Sequence, residues 1–80
     1  MIRKRSVSLN GHRTSFSLED EFYSELLRIA DERGSSLAGL LAEIDVSRDE
    51  SVNLSSAIRL FVLADLKAER ASRRDDHSSP

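Results

Sequence analysis

The segment His12–Leu18, HRTSFSL, puts Thr14, Phe16 and Leu18 on one side of an extended strand and Arg13, Ser15 and Ser17 on the other. Alternation with a period of two marks a strand with one buried face. The apolar side needs a core. The polar side carries one arginine and two small hydroxyls, an unusual composition for a face that meets only water. A lone strand also has two unpaired edges, and an isolated two-stranded unit is marginal in water. Everything after Leu18 reads as helical, so the chain offers this strand few internal partners. The economical solution is a second copy of the same strand from a second subunit, which predicts a homodimer.

Size supports that expectation. At 80 residues the chain is one small domain, and its lack of cysteine excludes disulfides and thiolate metal ligands. Oligomerisation is the remaining common device for stabilising a scaffold this small. No apolar run approaches the ~20 residues of a membrane span, and Met1-Ile-Arg-Lys-Arg is not followed by an apolar signal region. A soluble, cytoplasmic protein is expected. Catalysis is not: the chain has no Gly-rich phosphate loop, no acidic pair in an obvious cleft, and two distant histidines, His12 and His77, each without a partner motif. No metal and no cofactor are expected.

The net charge of −2 argues weakly against nucleic acid, but the distribution argues the other way. Arg3, Lys4, Arg5 and Arg13 all precede the first acidic residue, Glu19. Such asymmetry suits a basic arm or face that meets phosphates, and equally a solvated N-terminus.

Residues 3–9, RKRSVSL, alternate again, and Asn10-Gly11 follows, the strongest two-residue hairpin signal. A hairpin here sets Val7 opposite Thr14 and Ser6 opposite Ser15, so the two polarity patterns agree face for face. The alternative is a flexible basic arm ending at Gly11. The strands are expected over 5–9 and 13–18. Ser17 then opens a helix, with Ser17-Leu18-Glu19-Asp20 resembling a capping box and acidic residues at the positive end of the dipole. Phe22, Leu26, Ile29 and Ala30 make its apolar stripe, and Gly34 supplies the left-handed residue that ends it.

Ser35-Ser36 caps a second helix with the stripe Leu37, Leu40, Leu41 and Ile44, where Ala38 and Gly39 would permit close approach of another backbone. Ser47–Ser51 reads as a loop. Asn53 caps a third helix from Leu54 to about Ala68, in which Leu54, Ala57, Ile58, Phe61 and Val62 share a face. Leu60 and Leu63 carry the apolar surface further round, which again points to a subunit interface. Residues 68–80 hold no large apolar side chain and are expected to fray into a disordered tail. The domain organisation read from this is a basic arm or first hairpin strand at 1–11, a folded domain at 12–67 including the helix at 54–67, and the tail.

The order of strand, helix, Gly34-Ser35-Ser36 and helix resembles the ribbon-helix-helix family, to which the Arc and MetJ repressors belong, over roughly residues 12–46. The segments RSVSLNGHRTSFSLEDEF and NLSSAIRLFVL look like a bacterial subgroup with an N-terminal extension and an additional C-terminal helix. NLSSAIRLFVLADL also resembles a second helix of the superfamily, but that assignment forces a long helical insertion before it, so Leu37–Ile44 is kept as the second helix. The resemblance implies a mainly α fold with a short β-strand, in which two chains interlock and their strands pair as an intermolecular antiparallel ribbon that enters the DNA major groove. It also implies that alternate strand residues, here Arg13, Ser15 and Ser17, face the bases. The amide end of the second helix, at Ser35 and Ser36, would grip a phosphate on each flank. A four-stranded sheet would not enter a groove that admits a two-stranded ribbon, so residues 3–9 must then lie beside the groove or act as an arm.

Each of these residues also has an ordinary structural use. Arginine on an exposed strand is usually a solvated charge, but Arg13 heads the outward face in the least acidic part of the chain, and arginine with guanine is the commonest specific contact with DNA. Ser15 and Ser17 donate and accept but discriminate poorly, and Ser17 serves equally as a cap. Serine at an N-cap is ordinary, although capping and phosphate binding can share Ser35 and Ser36. Arg3, Lys4 and Arg5 would add phosphate contacts without sequence information. The function expected is a homodimeric, sequence-specific transcriptional regulator bound to double-stranded DNA, with higher-order assembly on DNA left open. The alternative is an antitoxin or other partner-binding module of the same fold, for which Leu54–Leu66 is the available apolar segment.

Overall fold

The structure, a computed structural model, describes the backbone of residues 1–78 and the side chains of residues 1–72. Its first element is an antiparallel hairpin of β1, Ile2–Leu9, and β2, His12–Glu19. The turn between them needs two left-handed residues and has them: φ is 51° at Asn10 and 80° at Gly11. Val7 lies opposite Thr14 and Ser6 opposite Ser15, the register that the two alternations dictate. β2 thus finds a strand partner within its own chain, and only its other edge remains open to a second strand.

Both strands run further than their alternation suggests, with pairing that extends to Ile2 opposite Glu19. This moves the start of the first helix. Ser17, expected as its cap, is still extended strand, because β1 holds β2 straight for two more residues. Helix α1, Asp20–Glu32, begins after Glu19 with no side-chain cap, and Asp20 and Glu21 alone complement its dipole. The Asp20 N–H donates to the Met1 carbonyl at 3.2 Å, tying the helix start to the far end of β1.

The turn into the next helix is closed by left-handed Gly34, at φ 64°, and by the Ser35 N–H, which donates to the Ala30 carbonyl at 2.9 Å. Helix α2 spans Leu37–Ser47, and helix α3 spans Leu54–Ser78, opened by Asn53, whose side chain accepts from the Ser56 N–H at 2.9 Å. α3 continues past Ala68, where the composition predicted a disordered tail. Residues 67–76 contain neither glycine nor proline and hold two alanines, three arginines, a lysine and a glutamate, so local propensity favours the helix. Ser79 and Pro80 lie outside the described residues.

The inward face of the hairpin, Leu9, Phe16 and Leu18, closes one side of the core. Leu26 and Ile29 from α1, Leu40, Leu41 and Ile44 from α2, and Leu54, Ile58 and Val62 from α3 close the rest. This packing orients the sheet so that its other face looks away from all three helices. Among the described residues, no helix is long and apolar enough to cross a membrane.

Candidate nucleic-acid interface

Because Phe16 and Leu18 must point inward, the alternate residues of β2 must point outward, and β1 follows the same parity through the register. The outer face pairs Ser8 with Arg13, Ser6 with Ser15, and Lys4 with Ser17. Ser6, Ser8, Arg13, Ser15 and Lys4 are exposed and Ser17 is half-buried. Two cations thus sit at opposite corners of a patch whose other members are serines. Among the described residues, neither Lys4 nor Arg13 forms an ion pair or side-chain hydrogen bond.

The carboxylate that shares this face, Glu19, is neutralised at its edge. Arg59 of α3 reaches it with Nε at 3.0 Å and Nη2 at 2.9 Å. A backbone hydrogen bond to Glu19 and the Arg59 contact hold its pKa below the ordinary carboxylate value. The same end of α3 also covers one end of the open edge of β2. The Ser17 N–H donates to Ser55 Oγ at 2.9 Å, and the Ser17 carbonyl accepts from Arg59 Nη2 at 3.5 Å.

The basic cluster Arg3-Lys4-Arg5 is divided by the same alternation. Lys4 joins the outer face. Arg3 and Arg5 belong to the inward parity and converge on Asp20, at 3.3 Å and 3.8 Å. The Arg5 guanidinium also lies over the Tyr23 ring, 3.6 Å from its centroid, with Nε buried and unpartnered. Ser35 and Ser36 stand apart from the hairpin, at the start of α2. Ser36 Oγ accepts from the Gly39 N–H at 3.0 Å, and Ser35 Oγ donates to the Ser36 carbonyl at 3.1 Å. Gly39 faces these two hydroxyls, 3.1 and 3.2 Å from where its Cβ would stand, so its small size serves the helix mouth.

A hairpin, a four-turn helix, a glycine turn and a second helix carrying serines at its amide end are now in place. The model of the ribbon-helix-helix domain matches residues 2–66. This chain belongs to the ribbon-helix-helix family. No curated protein and no solved structure matches it. The ribbon-helix-helix match takes in all of β1 and runs through α3 to Leu66, so the hairpin and the third helix both lie within the domain. Ribbon-helix-helix proteins are in general DNA-binding regulators or antitoxins, and they form dimers.

Two parts of this face were not singled out from the sequence. Ser6 and Ser8 share the outer face by simple alternation, and the Asn10-Gly11 register was enough to place them there. Ser55 and Arg59 had no local signal, since they act across 38 and 40 positions of chain.

Proposed function

We propose that this chain is a homodimeric, sequence-specific DNA-binding regulator of transcription that sets the outer face of its β-ribbon in the major groove. The observation that carries the reading is the unpaired Arg13 on a face of serines whose one carboxylate is already held by Arg59. A groove of phosphates attracts such a face, and its small side chains let the backbone approach base edges. Arg13, Ser15 and Ser17 are the base-facing set, with Ser17 half-buried at the end of the patch. Phosphate contact falls to the amide end of α2 at Ser35 and Ser36, and to Lys4. Arg3 and Arg5 are committed to Asp20 and contribute little direct contact.

The dimer is supported by α3. Leu60 and Leu63, 59% and 46% exposed, lie on the side of the helix away from the Leu54–Ile58–Val62 stripe. Leu60 also borders a groove of about 350 Å³ lined by Ile44, Val52, Ala57 and Phe61. A second copy of this chain is the proposed occupant. The antitoxin reading would assign the same leucines to a different protein.

Gel shifts with genomic fragments at two salt concentrations test the function. Selective retardation of a few fragments, weakened by salt, is the expected result. Uniform retardation of all fragments, or none, would overturn the reading.

A further inference from the structure

We infer that Arg59 of α3 is a positioning residue for DNA binding, which draws the Glu19 carboxylate off the outer face of β2 and so fits that face to phosphates. This role rests on the DNA-binding reading above and adds a residue outside the ribbon on which its affinity depends.

Parity puts Glu19 on the outer face. It stands two residues beyond Ser17 and four beyond Ser15, and pairing with Ile2 keeps the strand extended up to it. A free carboxylate there opposes the attraction that Lys4 and Arg13 exert on DNA. Across about 10 Å of water such a charge still repels phosphates measurably, and a dimer carries it twice. Arg59 removes it from that position. Nε at 3.0 Å and Nη2 at 2.9 Å hold the same oxygen, Glu19 Oε1, and Nη2 also lies 3.5 Å from the Ser17 carbonyl. The carboxylate is thereby kept at the edge of the strand, on the side of α3. Both side chains are half-buried, at 32% and 33% exposure, so salt screens the pair less than it screens an open surface pair.

The neighbouring contacts serve the same end. Ser55 stands one turn before Arg59 on the same side of α3 and accepts the Ser17 N–H at 2.9 Å, which fixes how near the helix comes to the end of β2. Asp20, the next residue, is met by Arg3 and Arg5 from within the hairpin. Glu19 depends instead on an arginine 40 positions away, so its neutralisation is complete only when α3 has docked. These contacts of α3 fall at Ser17 and Glu19, and leave the edge of β2 before Ser17 open to a second strand.

A double-mutant cycle in the full chain tests the role. Binding to a labelled duplex of the site preferred by the unaltered chain is titrated by fluorescence anisotropy at about 50 mM and about 300 mM salt. Arg59→Met keeps the aliphatic stem and removes the guanidinium, and should weaken binding about five-fold at the lower salt. The difference should shrink at the higher salt, where screening is stronger. In a Glu19→Gln background the same Arg59→Met change should cost less than about two-fold. Arg59→Lys, which keeps the charge, should bind more tightly than Arg59→Met. Equal loss in both backgrounds would make Arg59 a direct phosphate contact or a support of the fold, and no loss in either would detach the pair from DNA binding. Each of these results overturns the positioning role and leaves the DNA-binding reading standing. An unaltered chain that prefers no site overturns both. Circular dichroism checks that every variant is folded at the assay temperature, and if Arg59→Met is not, Arg59→Gln takes its place and is read in the same way.

Discussion

Arg13 and Phe16 stand three residues apart on one strand, and the pleat sends them to opposite environments. Arg13 is exposed and makes no ion pair among the described residues, so Arg13→Ala opens no cavity and should change stability by less than ~0.5 kcal/mol. Selectivity should suffer instead, by about 1–3 kcal/mol per lost base contact and twice that for a symmetric dimer, measured by titrating the preferred and a scrambled site. Equal loss on both sites would make Arg13 a phosphate contact. Phe16 is buried at 3% exposure, and Phe16→Ala should cost about 3–5 kcal/mol in thermal or denaturant unfolding. Glu19 gives a further handle at this scale. Its pKa lies below the ordinary carboxylate value because a backbone hydrogen bond and Arg59 favour the charged form. A depressed carboxylate adds stability above its unfolded pKa and loses it as pH falls through the folded value. Acid should therefore lower the melting temperature of the unaltered chain more than that of Glu19→Gln below about pH 4. Parallel acid profiles would show that the Arg59 contact contributes nothing. The faces of β2 were legible in the sequence because alternation is local. The pairing of Glu19 with Arg59 was not, because it depends on where α3 docks.

At the scale of elements, the punctuation of the chain was the legible part. Asn10-Gly11 gave the hairpin and its register, Gly34 gave the end of α1, and Ser36 and Asn53 gave the starts of α2 and α3. The start of α1 was misplaced at Ser17 because a capping pattern and a continuing strand compete for the same residues, and pairing with β1 prevailed. The basic cluster looks like one unit in the sequence, but strand alternation divides it, sending Arg3 and Arg5 to Asp20 and leaving Lys4 outside. The turn can be tested by Gly11→Ala. Nothing crowds Gly11, so the cost arises only from the left-handed backbone at φ 80°, about 1–2 kcal/mol. A melting temperature equal to that of the unaltered chain would show that the turn adapts without strain. Ser36→Ala removes the acceptor for the Gly39 N–H and should cost about 1 kcal/mol of stability.

For the molecule as a whole, α3 is the element with two commitments. One side fills the core through Leu54, Ile58 and Val62, and Arg28 of α1 is pinned to Asp65 at 2.9 Å. The other side leaves Leu60 and Leu63 in water. Full burial of a leucine from complete exposure contributes about 1.5–3 kcal/mol, and these two are about half exposed, so from both chains they supply roughly 3–6 kcal/mol between them. Association costs about 4–15 kcal/mol in lost freedom and ordering, which these leucines alone do not clearly exceed. A stable dimer must also fill the groove beside Leu60, where Ile44, Val52 and Phe61 add apolar surface. An interface so finely balanced should not survive a charge at its centre. Leu60→Glu is exposed in the single chain and leaves the core untouched, so far-UV circular dichroism should be preserved. Sedimentation at micromolar concentration should change from dimer to monomer, and DNA affinity should fall because a single chain presents half of the dimer's contacts. A Leu60→Glu chain that still sediments as a dimer would place the subunit contact elsewhere, the open edge of β2 being the next surface to test.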